Sequence, residues 1–320
     1  MAGRRPGPLR PSSFVEALRE RVPELWRIAR LELEIHSNVD SSDISPALWQ
    51  TLARRIHERL SAFDGVVVTH GTDTMAYTAA ALSFMLRNLP RPVVLTGSQV
   101  PIGEIRTDAR LNLIDAVTAA ARGPELPEVV ICFDSKLFRG NRSRKQKIAE
   151  YDAFASPNLP PLGGLGVEVT IAPARRPRGT FQLLDRLETR IHSLPVFPGI
   201  DPAPHVAHLA NGEVKGLVVS AFGAGNFPIQ GPRSLLPLFS LARDRKVPVL
   251  VTSQSERNAV ALSLYESGAA ALELGAIGAG DMTPEASVVK LMHAAAYGRG
   301  LAGVRRILEA NVAGERTPGT

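Results

Sequence analysis

Cys132 is the one cysteine in 320 residues, so the chain cannot close an internal disulfide. It lies in the apolar run Val129-Val130-Ile131-Cys132-Phe133 and reads as a small buried hydrophobe. No stretch is apolar for long enough to cross a membrane. Residues 1–13 are rich in arginine and proline, and no apolar segment of signal-peptide length follows, so a cytoplasmic protein is expected. The basic excess is moderate: the formal net charge of +6 is spread along the chain and does not point to a nucleic-acid partner. Gly223-Ala224-Gly225-Asn226 lacks the spacing of a dinucleotide-binding loop. His205 and His208 stand three apart with no evident third ligand, so no zinc site is read there. No cofactor and no metal are implied.

What is present is a globular composition, 44% apolar and 21% charged, on a chain long enough for two domains. The stretch Asp64-Gly65-Val66-Val67-Val68-Thr69 is short, apolar and β-branched, which predicts a buried strand. His70-Gly71-Thr72-Asp73-Thr74 is polar, and Ala76–Leu86 is a good helix former. Thr72 and Asp73 therefore stand at the carboxyl end of a strand, where open parallel α/β sheets place their ligands. Taken alone, either residue reads as a helix cap.

The rest of the chain shifts that balance. Ser12 or Ser13, with Glu16, predicts the start of a helix running to about Glu20. Leu31–His36 alternates apolar and polar residues and predicts a strand with one exposed face. A helix from about Ala47 to Ser61 follows, then the strands Pro92–Thr96 and Glu128–Phe133 with a helix over Asp108–Ala121 between them. Strand and helix alternate with short links, which predicts a parallel sheet covered on both faces. Each strand meets a polar cluster at its carboxyl end: Ser41-Ser42-Asp43, Gly71-Thr72-Asp73, Gly97-Ser98-Gln99 and the loop after Phe133. Four such loops on one sheet edge point to a site.

The loop after Phe133 is read as long and basic, from Arg139 to Lys147. Three readings fit it: a solvated charge run, a phosphate or nucleic-acid patch, or one lysine turned inward. A lysine desolvated beside threonine and aspartate loses its proton more readily and can serve as a base. The expected organisation is an α/β fold with a larger parallel-sheet domain over residues 1–185 and a proline-rich link over 186–207. A smaller α/β domain follows over 208–320.

Several ordered blocks resemble the bacterial-type L-asparaginases, most closely their cytoplasmic type I branch. They are Asp40-Ser41-Ser42-Asp43, His70-Gly71-Thr72-Asp73-Thr74-Met75-Ala76-Tyr77-Thr78, Leu95-Thr96-Gly97-Ser98-Gln99-Val100-Pro101 and Arg139-Gly140-Asn141-Arg142. Asp152–Asn158 and Gly280–Ala286 complete the set. The resemblance implies an amidohydrolase releasing ammonia from L-asparagine. It implies that Ser41, Ser42 and Gly71 meet the substrate's α-carboxylate, and that Asp73 holds its α-ammonium group. Thr72, Asp73 and Lys145 would form the triad that activates a hydroxyl or water. A homodimer or homotetramer is implied as well.

Two departures qualify this. The family usually opens with a strand ending in Thr-Gly-Gly-Thr-Ile-Gly, whose first threonine attacks the amide, and this sequence has no such motif. If Met1 corresponds to an internal methionine of the family, the chain lacks that strand, and poor stability with little or no asparaginase activity is expected. Val219-Ser220-Ala221-Phe222-Gly223 also lacks the arginine of an allosteric site found in some type I enzymes. Two other readings stay open. One is a non-catalytic protein binding asparagine or aspartate, and the other an asparaginase-like subunit of a tRNA amidotransferase.

Overall fold

β-Branched runs such as Val66–Thr69, Val93–Thr96 and Val249–Ser253 form the parallel strands of this protein, and alanine- and leucine-rich runs form many of its helices. The computed structural model describes residues 11–173 and 175–320. The chain begins with α1 (Pro11–Arg21), α2 (Leu25–Ile28) and α3 (Pro46–Arg59). β1 (Val66–Thr69) leads through a tight turn into α4 (Met75–Met85), then β2 (Leu86–Arg87), β3 (Val93–Thr96) and α5 (Ala109–Ala120). Six strands follow: β4 (Val129–Phe133), β5 (Lys136–Arg139), β6 (Arg144–Lys145), β7 (Phe154–Ala155), β8 (Gly163–Leu165) and β9 (Val169–Ile171). β10 (Gln182–Leu183) pairs back with β2.

The larger sheet has the order β1-β3-β4-β5-β8-β9. β1, β3 and β4 run parallel, as expected, but β5, β8 and β9 join antiparallel, so the sheet is mixed. The cause is local. Asp134 and Ser135 both take positive φ, 50° and 53°, which makes a two-residue hairpin turn. Phe133 then pairs with Lys136, and the chain returns beside β4 instead of crossing over a helix. The stretch expected as a long basic loop is thus largely ordered as β5, a 3-10 turn and β6.

β3 and β4 are almost wholly apolar and buried because both of their faces are covered. Val93, Leu95, Val129, Ile131 and Phe133 face the core under α3 and α4. Val94, Val130 and Cys132 alternate with them and face α5. Burial raises the Cys132 thiol well above its ordinary pKa and leaves it unreactive.

Leu31–His36 is not a strand. Residues 29–40 have no regular structure, and no strand among the described residues pairs with them. The alternation marks two faces all the same. Glu34 and Glu32 pair with Arg55 and Arg59 of α3, while Leu33 and Ile35 stay exposed. Alternation sorts side chains, but only a neighbouring backbone makes a strand. The cap expected from Ser12 or Ser13 lies outside the described side chains.

The second sheet is parallel, in the order β11-β12-β13-β14: β11 (Ile191–Pro195), β12 (Gly216–Ala221), β13 (Val249–Ser253) and β14 (Ile277–Gly278). Its helices are α6 (Ala203–Ala210), α7 (Leu236–Asp244), α8 (Glu266–Glu273), α9 (Pro284–Tyr297) and α10 (Gly300–Glu309). β11, together with most of α6, was expected within the link but belongs to this unit. α9 packs against α4 and joins the two halves. Beside that contact, fully buried Lys290 and Glu315 form an ion pair of 2.6 Å.

Candidate active site

β1 ends by handing the chain to its neighbour: His70 N–H donates to Thr96 O at 2.8 Å. The next residue must be small. A Cβ on Gly71 would lie 2.6 Å from Ser41 Cβ and 2.7 Å from its Oγ, inside any tolerable contact. Glycine lets this turn press directly on the Ser41 segment. Thr74 Oγ1 donates to Ser41 O at 2.7 Å and ties the same two loops. Asp40 shapes the Ser41 turn by accepting from Ser42 N–H at 2.9 Å and from the Ser42 hydroxyl. Ser41 is buried and Ser42 exposed.

The third loop is held the same way. A Cβ on Gly97 would meet His70 O at 2.3 Å. Asp108 accepts from the backbone N–H of Gln99 and of Val100, each at 3.0 Å. The polar clusters around Ser41, Gly71 and Gly97 therefore adjoin, but only the Gly71 and Gly97 loops follow strands of the sheet; the Ser41 loop, expected at a strand end, is brought to that edge by the irregular segment before it.

Lys145 arrives from the other side of the sequence. β6 pairs Lys145 with Phe154 of β7, and Phe154 packs on Phe133 with ring centroids 5.0 Å apart. Anchored there, Lys145 Nζ donates to Thr72 Oγ1 at 2.8 Å and to Asp73 Oδ1 at 2.7 Å. Thr72 is buried, Lys145 is 15% exposed and Asp73 is 66% exposed. The cluster opens to solvent at the carboxylate and is closed at the hydroxyl. Nζ donates to Thr72 in this arrangement, and the same contact lets a neutral amine accept the threonine's O–H instead.

The neighbouring basic residues do not form a free patch. Arg139 pairs with Glu128 at 2.5 Å, Arg144 with Glu285 at 3.2 Å, and Lys147 with Asp152 at 2.5 Å. Arg142 is 2% exposed and makes a fork of two bonds, 2.9 and 2.7 Å, to Asp281. Burial pushes the Asp281 carboxyl up, but Arg142 and Thr317 outweigh it and hold it far below the usual range. Of the three readings of this stretch, the inward lysine is the one that fits.

Two residues that sequence reasoning left aside stiffen the turn. Trp49 Nε1–H donates to Thr78 Oγ1 at 2.8 Å, and Thr78 Oγ1 lies 2.8 Å from His70 Nε2. His70 Nδ1 lies 2.6 Å from Gly71 O, so Nδ1 carries the proton and Nε2 accepts from Thr78. Burial lowers the His70 pKa, against the raising effect of the Gly71 carbonyl, and favours the neutral ring. Thr78 stands one helical turn beyond Thr74, within the motif block, but nothing in that block points to Trp49.

The sequence matches the family described as "Asparaginase, N-terminal" over residues 2–176 and "Glutaminase/Asparaginase C-terminal domain" over residues 190–308. The chain belongs to the asparaginase family. It is 38% identical over 303 residues to L-asparaginase 1 of Escherichia coli K12, covering 93% of this chain and 88% of that one. It is 35% identical over 327 residues to a glutamyl-tRNA(Gln) amidotransferase subunit of Pyrococcus abyssi, covering 98% and 73%. The solved structure of L-asparaginase I from Vibrio cholerae superposes with a TM-score of 0.87 at 35% identity, covering 98% of this chain and 95% of that one. In this asparaginase-family fold, then, the large domain carries a mixed sheet and the C-terminal domain a parallel one.

Proposed function

We propose that the chain is an amidohydrolase whose substrate is L-asparagine, releasing L-aspartate and ammonia. The observation that carries this reading is the double contact of Lys145 Nζ with Thr72 Oγ1 and Asp73 Oδ1. Amide hydrolysis needs a nucleophile, a neighbouring group that takes its proton, and donors for the developing oxyanion. Thr72 and Lys145 supply a hydroxyl and an amine in contact, and Asp73 orients the amine. The exposed part of Asp73 meets the substrate's α-ammonium group, and Ser41, Ser42 and Gly71 receive its α-carboxylate. The same reading includes a cytoplasmic location and a homo-oligomeric state, both carried by the family resemblance.

The hydroxyl in contact with the lysine is that of Thr72. Ammonia release from L-asparagine is the test. Release that disappears in Thr72→Ala supports the reading. Calorimetric binding of L-asparagine with no ammonia from the wild type would favour a non-catalytic binding protein. The amidotransferase reading has the likeness to the Pyrococcus abyssi protein in its favour, and salt-sensitive binding of tRNA would support it. The pairing of Arg139, Arg142, Arg144 and Lys147 with acidic partners speaks against a free tRNA-binding patch on this segment.

A further inference from the structure

Three of the seven histidines gather in the second half of the chain, in a place the amidohydrolase reading does not use. His192 lies on β11, and His205 and His208 lie on α6. Leu194 and Val196, which alternate with His192, enter the core shared with Leu209 of α6, so His192 faces that helix. His192 Nε2 stands 3.1 Å from His205 Nδ1. The His192 and His208 rings lie with centroids 5.0 Å apart, and the His192 and His205 rings 5.3 Å apart. The third partner missing from the sequence spacing of His205 and His208 is therefore supplied by the strand beneath them.

We propose that His192, His205 and His208 bind one divalent late first-row transition ion per chain, zinc being the type case. Two imidazole nitrogens bound at about 2.0–2.1 Å to one tetrahedral ion sit roughly 3.3 Å from each other. The His192–His205 separation of 3.1 Å is close to that spacing. As folded, no three histidine, cysteine, aspartate or glutamate side chains among the described residues surround a common metal position. Two donors are in place, and His208 completes the set by changing rotamer. It is exposed on the helix and one turn from His205, so nothing buried has to move. For both nitrogens to bind the ion, the proton shared between His192 Nε2 and His205 Nδ1 moves to the other nitrogen of the ring that carries it. An all-imidazole donor set suits zinc, copper or nickel and not the oxygen-seeking calcium or magnesium. The ion would clamp α6 onto β11, the first strand of the second sheet.

Calorimetric titration of Zn²⁺ into tag-free, chelator-treated full-length protein tests this. The expected result is one ion per chain, a higher thermal midpoint at saturation, and no such effect from Mg²⁺. The double variant His205→Ala/His208→Ala should lose at least about tenfold in affinity and lose the thermal shift. His208→Ala alone, an exposed change that leaves the core intact, should weaken binding in the same direction. His36→Ala, in the other half of the chain, should leave it unchanged. Absence of zinc binding in the wild type would overturn the proposal, as would wild-type stoichiometry and affinity in the double variant.

Discussion

Lys145 and Thr72 are 73 positions apart, and Lys145 Nζ donates to Thr72 Oγ1 across 2.8 Å. The strand pairing of β6 with β7 fixes the lysine, and the turn after β1 fixes the threonine. Replacing Lys145 with methionine keeps the length of the side chain and removes the amine. Ammonia release from L-asparagine should fall at least about a hundredfold, the scale of a lost general base. Circular dichroism should stay unchanged. Turnover within a factor of two of the wild type would remove Lys145 from the chemistry.

Gly71 is the contact through which the Thr72 turn reaches Ser41. Gly71→Ala puts a methyl group within 2.6 Å of Ser41 Cβ, so one loop must retreat. The expected cost is about 1–3 kcal/mol of stability, the range of an overpacked site. Affinity for L-aspartate should drop with it. Urea unfolding and calorimetry measure the two effects separately, and an unchanged affinity would show that the Ser41 loop does not hold the ligand.

Arg142 and Asp281 form a buried fork between the two halves of the chain. Arg142→Met leaves the carboxylate buried without its partner and should destabilise the protein by about 3–5 kcal/mol. The double variant Arg142→Met/Asp281→Leu should recover much of that loss, because neither charge then stays unpaired. A double variant no more stable than Arg142→Met would mean that the bonds Asp281 accepts from the Thr317 N–H and hydroxyl matter more than the charge pair.

His293 gives the stability a pH dependence. Burial, helped by Arg87 and Lys290 and opposed by Glu315, pushes its pKa from an ordinary 6.5 to about 4. The folded state therefore resists a proton that the unfolded state accepts. Its contribution is present in full above the unfolded value and is lost as pH falls from about 6.5 towards 4. At about 1.4 kcal/mol per pKa unit this amounts to roughly 3 kcal/mol. His70, also lowered by burial, acts in the same direction. Urea midpoints at about pH 7.5 and about pH 4.5 should differ clearly in the wild type and less in His293→Gln. An equal difference in both proteins would assign the slope to other groups.

The parts of this fold legible in the sequence are those with local causes. Val66–Thr69 is a β-branched run and Ala76–Leu86 follows as a helix, so Thr72 and Asp73 could be placed at a strand's carboxyl end, although the strand ends the sheet and is only half-buried, not fully buried as its composition predicts. The inward turn of Lys145 was readable only as one of three options, because its partners are far away in sequence. Leu31–His36 has a strand's alternation but no neighbouring backbone to pair with. The hairpin at Asp134-Ser135 depends on two positive φ angles in residues that also occur in ordinary loops. Arg142 with Asp281, and His192 with His205, are contacts made by tertiary packing alone, and no spacing rule encodes them.

The most direct test of the hydrolytic centre is ammonia release from L-asparagine by the 320-residue chain and by Thr72→Ala, assayed side by side at high protein concentration. The expected result is measurable release by the wild type, with the variant at least about a hundredfold below it. Equal release by the two proteins, or binding of L-asparagine by the wild type with no ammonia, would contradict the account.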